Sequence, residues 1–123
     1  MTRLLVVDDE QDIRYLYAAE LTDEGYRVDT AGSGSEAAKM LQEQDYDLIV
    51  LDIQMKGESG LQLLQKIVRE RKELPVILCT AFNCYKDDFS SWLADAYVVK
   101  SSDLTELRDE IRKVLAKRGK LGG

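Results

Sequence analysis

The chain predicts an α/β fold, a parallel sheet with helices on both faces, built as one domain. Three observations carry that expectation. Five short runs rich in Val, Ile, Leu or Tyr recur along 123 residues, each of strand length and mostly continuous, as strands buried on both faces are. Between them lie segments whose apolar residues repeat at helical spacing. Run and helical segment alternate, and that alternation favours a parallel sheet joined by right-handed crossovers.

The first run is Leu4 to Val7. Ile13, Leu16, Tyr17 and Leu21 follow at i, i+3, i+4 and i+8 and predict a helix that buries this face and ends near Gly25, a residue suited to the C′ position. Tyr26 to Thr30 is a weaker second strand. Ser33 and Glu36 form a capping-box signature ahead of Ala37, Ala38 and Leu41. Leu48 to Leu51 is the third run, and Ser59 with Gln62 repeats the cap signature before Leu64, Ile67 and Val68. Pro75 to Cys79 is the fourth run. A short, weak helix is expected around Tyr85, Phe89 and Trp92, then a fifth strand over Ala96 to Val99. The last helix opens with Asp103 and Glu106 and carries Leu104, Leu107, Ile111, Val114 and Leu115 on one face. Residues 1–118 are expected to form the domain, and the polar, glycine-rich residues 119–123 a flexible tail.

Composition removes several function classes. No histidine occurs, which excludes a Ser/His/Asp triad and a histidine phosphodonor, and Cys79 and Cys84 do not have a metal-ligand spacing. Cys79 ends an apolar run and reads as a buried reduced thiol. A net charge of −6 argues against direct nucleic-acid binding, because that affinity comes from Lys and Arg neutralising phosphates. The apolar runs are shorter than the ~18 residues of a membrane span, and MTRLLVVDDE has no secretory pattern. A cytoplasmic location with no membrane insertion is expected.

In an open parallel α/β sheet, ligands bind outside the carboxyl ends of the strands. Directly after the apolar runs stand Asp8 and Asp9, then Asp52, then Thr80, then Lys100. Each alone has an ordinary explanation: an Asp there is often a turn or cap residue, and a terminal Lys a solvated charge. Together, on one edge, they are three carboxylates, a hydroxyl and an ammonium. If the first and third strands are neighbours, Asp8, Asp9 and Asp52 repel one another unless a cation intervenes, and Mg²⁺ suits carboxylate, water and phosphate oxygens. A carboxylate beside a divalent ion and a lysine is placed to attack a phosphoryl group. Asp52, single on its strand end, is the candidate nucleophile, with Asp8 and Asp9 holding the metal.

Asp8-Asp9, Asp52, Thr80-Ala81 and Lys100, with LLVVDDE, DLIVLDIQM, VILCTAF and AYVVK around them, resemble the strand-end motifs of the response regulator receiver domain of two-component systems. The resemblance covers residues 3 to about 117. It implies a flavodoxin-like (βα)5 fold with strand order 2-1-3-4-5, an order for which a receiver protein is a standard example. It further implies that Asp52 accepts a phosphoryl group from a partner histidine kinase or phosphotransfer protein. Mg²⁺ would be held by Asp9, Asp52 and the backbone carbonyl of Gln54, with Asp8 acting through water. Thr80, Ala81 and Lys100 would bind the phosphoryl oxygens. Thr80 and Tyr97 would form the conformational switch, whose output to a downstream protein runs through the fourth helix, fifth strand and fifth helix. A monomer or a phosphorylation-dependent dimer is expected, and Gln54 and Phe82 occupy positions that tune phosphate lifetime in relatives.

The chain departs from the family at named places. Lys56 stands where a proline is usual, and Lys100-Ser101 replaces a Lys-Pro pair whose cis form would cost ~2.5–4 kcal/mol without proline. The interval from Thr80 to Lys100 is shorter than usual, and LADA replaces the customary Gly-Ala. Three other readings compete with this one. An aspartate-nucleophile phosphohydrolase would carry a second Asp where Gln54 stands, so turnover on a small substrate is not expected. A flavin module would have its phosphate repelled by Asp8, Asp9 and Glu10. A receiver-like interaction module that takes no phosphate is the remaining alternative. Glu10 reads as an acid of the first helical turn.

Overall fold

The computed structural model describes residues 1–55, 58–81, 93–101 and 103–119. Along the chain run β1 (Arg3–Val7), α1 (Gln11–Asp23), β2 (Arg27–Ala31), α2 (Gly34–Glu43), β3 (Leu48–Leu51), β4 (Gln54–Met55), β5 (Glu58–Ser59), α3 (Gly60–Glu70), β6 (Val76–Thr80), β7 (Ala96–Val99) and α4 (Thr105–Lys117). Five strands form one sheet in the order β2-β1-β3-β6-β7, all parallel neighbours. That is the expected 2-1-3-4-5 order once the two-residue antiparallel pair β4-β5 is set aside. The pair itself was not foreseen, because two residues carry no periodicity.

Alternation along the buried strands divides the core in two. Leu5, Val7, Ile49, Leu51, Val76 and Leu78 face α2 and α3, packing with Leu41, Leu64 and Ile67. Leu4, Val6, Leu48, Val50, Ile77 and Cys79 face the other way onto α1 and α4, against Tyr17, Leu21, Leu107 and Ile111. The apolar runs are continuous because the central strands serve both layers. The weak run over Tyr26 to Thr30 is an edge strand, with Arg27 exposed and Val28, Asp29 and Thr30 half-buried.

Local signals hold with small adjustments. The first helix closes as expected: Gly25 takes φ 98° and donates to the Thr22 carbonyl, while Tyr26 donates to that of Leu21. Leu16, assigned to the buried face, is instead exposed, because α1 presents Tyr17 and Leu21 to the sheet. Ser33 Oγ accepts from the Glu36 N–H at 3.1 Å, and Glu36 reaches back to the N–H of Gly32 rather than to Ser33. Ser59 caps α3 through the N–H of Leu61 at 3.2 Å, not through that of Gln62. Asp103 precedes the last helix, accepting from the Thr105 N–H and hydroxyl, and Leu104 takes the cap position. No cis peptide occurs among the described residues, Lys100–Ser101 included. Lys56, Phe82, Cys84, the helix expected around Tyr85, Phe89 and Trp92, and residues 120–123 lie outside the described residues.

Candidate functional site

Register builds the site. Val7 pairs with Leu51, so Asp8 and Asp52 are the next residues on adjacent strands, and the Asp52 N–H donates to the Val7 carbonyl at 3.0 Å. Thr80 pairs with Val99, and the Lys100 N–H donates to the Thr80 carbonyl at 2.7 Å. Each polar residue therefore arrives by extending a strand that has no freedom to slip, since a one-residue shift would turn its apolar set to the wrong face. Among the described residues, the buried polar side chains are Asp8, Asp52 and Thr80, and all three stand at this edge.

Lys100 lies between the two buried acids. Its Nζ is 2.6 Å from Asp8 Oδ2 and 3.3 Å from Asp52 Oδ2. Burial pushes Asp52 above the ordinary carboxylate range and the Asp8 charge adds to that, while Lys100 opposes both. Burial would lower Lys100, but the bond to Asp8 and the charge of Asp52 outweigh it and hold the ammonium above its ordinary value. The lysine is therefore charged at neutral pH. The other oxygen of Asp8 accepts from the Glu10 N–H at 2.9 Å, and Asp52 Oδ1 accepts from the Gln54 N–H at 3.3 Å.

Thr80 Oγ1 is buried and has no hydrogen-bond partner among the described residues. Such a hydroxyl costs roughly 1–3 kcal/mol unless something satisfies it. It borders a cleft of about 380 Å³ whose walls also include Asp9, Glu10, Asp52, Gln54, Ala81 and Lys100. Carboxylate oxygens of Asp8, Asp9 and Glu10 come within 4.8 Å of one another. The donor set is all hard oxygen, which fits Mg²⁺. Tyr97 pairs in register with Leu78 and packs beside the α2–α3 core layer.

Three residues mattered more than their sequence signals suggested. Glu10 lines the cleft at the N-cap position of α1, where it was expected inside the first turn. Gly60 is required by space: a Cβ there would overlap the carbonyl oxygen of Asp52, and its N–H donates to Ile53 at 2.6 Å. Arg14 Nη1 donates to the Asp8 carbonyl at 2.7 Å. Its signal was a basic residue near the start of a helix, where the macrodipole favours acids. Cys79 is buried as expected, its thiol pushed up to about 11 chiefly by burial, and the Tyr17 hydroxyl lies 3.5 Å from its sulfur. Among the described residues no helix is long and apolar enough to cross a membrane.

The chain is similar to known proteins in sequence and in fold. A family model described as response regulator receiver domain matches residues 4–112. Response regulator ArlR of Staphylococcus aureus is 36% identical over 120 residues, covering 96% of this chain and 54% of that protein. The chain thus spans about half the length of the curated relatives it matches. Response regulator protein TrrA of Thermotoga maritima, crystallised in complex with Mg(2+)-BeF, is similar with a TM-score of 0.91 and 49% identity, over 94% of this chain and 100% of that one. TrrA in its complex with histidine kinase ThkA matches with a TM-score of 0.88 and 49% identity, over 94% and 99% of the two chains.

Proposed function

Because the chain belongs to the response regulator receiver domain family, we propose that Asp52 accepts a phosphoryl group from a partner histidine kinase or phosphotransfer protein in a Mg²⁺-dependent reaction. The observation that carries this reading is the buried Thr80 hydroxyl, unsatisfied on the same cleft as the carboxylate of Asp52 and the ammonium of Lys100. A phosphoryl oxygen arriving on Asp52 would accept from it.

Asp9, Asp52 and the Gln54 carbonyl would hold the ion, with Asp8 acting through water. When bound, Mg²⁺ neutralises charge gathering on the transferred oxygens. An Asp52 carboxylate oxygen forms the new O–P bond as the N–P bond to the donor imidazole breaks, and that nitrogen keeps the bonding electron pair. Lys100, already charged, turns from the two carboxylates toward the phosphoryl oxygens, and Thr80 and the Ala81 N–H donate to them. An added charge of about −1.5 to −2 is large enough to bias a two-state element. Thr80 is drawn to the phosphate and Tyr97, on the adjacent strand, follows. The altered surface includes β7 and α4, and it engages a downstream protein. The receiver spans residues 1–118, with 119–123 a tail, and works in the cytoplasm as a monomer or a phosphorylation-dependent dimer, without nucleic-acid contact or small-molecule turnover.

Incubating the protein with Mg²⁺ and a small phosphodonor, followed by intact-mass measurement, tests the assignment. One phosphoryl adduct is expected on wild type and none on Asp52→Ala. An adduct that survives Asp52→Ala sinks the phosphoacceptor role. No adduct on wild type leaves the non-phosphorylated interaction module as the better account.

A further inference from the structure

Arg14 is half-buried on α1, and no step above uses it. Helical side chains lean toward the N-terminus, so Arg14 reaches back over the first turn to the Asp8 carbonyl, 2.7 Å from its Nη1. Asp8 is thereby held at four points. Its N–H donates to the Ala31 carbonyl at 3.1 Å, its two carboxylate oxygens meet the Glu10 N–H and Lys100 Nζ, and its carbonyl meets Arg14. The fourth contact differs in kind from the other three. Because the peptide unit is planar, fixing the Asp8 carbonyl fixes the plane of the Asp8–Asp9 bond, and with it the position from which Asp9 leaves the backbone.

The guanidinium is itself confined by the next strand's loop. A Cβ on Gly32 would sit 3.2 Å from Arg14 Nη1 and 3.4 Å from Cζ, so the bare Cα of Gly32 makes room for the planar group. The nearest atoms belong to the end of a flexible side chain, so an alanine would push the guanidinium aside by a few tenths of an ångström without disturbing backbone. Arg14 and Gly32 therefore act as one device linking the loops after β1 and β2.

We infer that Arg14, seated over Gly32, is a positioning residue for the metal-binding acids, aiming Asp9 through the Asp8–Asp9 peptide. The inference rests on the metal-site reading above, and it makes a counterintuitive demand. A fixed cation beside a cation site should weaken metal binding by repulsion; positioning requires that removing Arg14 weaken binding instead.

Titrating MgCl₂ into the folded, metal-free full chain by calorimetry at constant ionic strength, with circular dichroism to confirm folding, decides the sign. Wild type should bind. Arg14→Met should raise the Mg²⁺ dissociation constant about 10-fold, the lower end of what loss of an outer-shell partner costs. Gly32→Ala should move it in the same direction by less, and the double variant should be no worse than Arg14→Met, because both changes act on one contact. Arg14→Lys, which retains a donor but not the planar fork, should recover part of the loss. A merely structural role would lower the metal-free melting temperature and leave the dissociation constant unmoved. Unchanged or tighter binding in Arg14→Met and Gly32→Ala, or additive losses in the double variant, would overturn the inference while wild-type binding preserves the site. Failure of wild type to bind Mg²⁺ would overturn both.

Discussion

The two ends of the sheet use the same residue in opposite ways. At the amino-terminal end, Asp47 donates its N–H to the Arg3 carbonyl and accepts from the Arg3 N–H on its carboxylate, both at 2.8 Å. Asp95 repeats the pattern with Val76, at 2.8 and 2.9 Å, and its other oxygen takes Nη2 and Nε of Arg118 at 2.6 and 3.1 Å. These carboxylates meet backbone donors and are satisfied within the fold. At the carboxyl end, Asp8 and Asp52 meet each other and share one ammonium. An acid that takes the N–H of a neighbouring strand fastens strands; Asp8 and Asp52 take only an N–H two residues on in their own segment and crowd one ammonium, so they need a further cation. The departure from Gly-Ala at LADA thus acquires a purpose, since Asp95 ties the start of β7 to β6 and to the end of α4.

That contrast is broken most severely by Lys100→Met. Both buried acids would lose their counter-charge, and breaking a buried pair by removing one partner costs about 3–5 kcal/mol. Urea unfolding in a chelator should register that loss, and Mg²⁺ should restore part of it. Asp95→Ala or Asp47→Ala leaves a strand N–H without its acceptor and should cost roughly 1–3 kcal/mol. The discriminating feature is that this loss should be the same with and without Mg²⁺; a loss that Mg²⁺ reverses would mean that the two ends are not independent.

Asp52→Asn should go the other way, stabilising the metal-free protein by on the order of 1 kcal/mol, because it removes a charge whose burial is unfavourable. Its pH dependence supplies the smallest and sharpest test. The folded carboxyl of Asp52 lies above the ordinary 3.8. As pH rises from 3.8 toward that elevated value, the unfolded chain ionises while the folded one keeps its proton, so wild-type stability falls across the window. Asp52→Asn lacks that fall, and the difference between the two curves should open there and then stay constant. Lys100 has the complementary sign: raised above 10.5, its contribution is complete below 10.5 and is lost as pH climbs through the folded value. Parallel curves for wild type and Asp52→Asn through the acid window would remove the account of Asp52 as a destabilising buried charge.

Much of this was legible in the chain itself. Continuous apolar runs such as LLVV and LIVL report burial on both faces, the cap residues Ser33 and Ser59 begin helices where expected, and the polar residues following four of the five runs land at the strands' carboxyl ends. Alternation then requires those residues to share an edge, so the candidate set needed no distances. These signals are local in sequence, and backbone periodicity carries them intact into the fold.

What only tertiary structure decided is who meets whom. Nothing in the spacing says that Lys100 approaches Asp8 more closely than Asp52, that the Thr80 hydroxyl finds no partner among the described residues, that Leu16 is exposed, or that Gly60 must lack a side chain because the Asp52 carbonyl occupies that space. Arg14 over Gly32 and Asp95 beneath Val76 join residues from different elements of the fold. Such contacts depend on strand order and helix placement, set by packing summed over the two core layers. A sequence read along its length records which groups each strand delivers, and the folded sheet alone settles which of them come within reach.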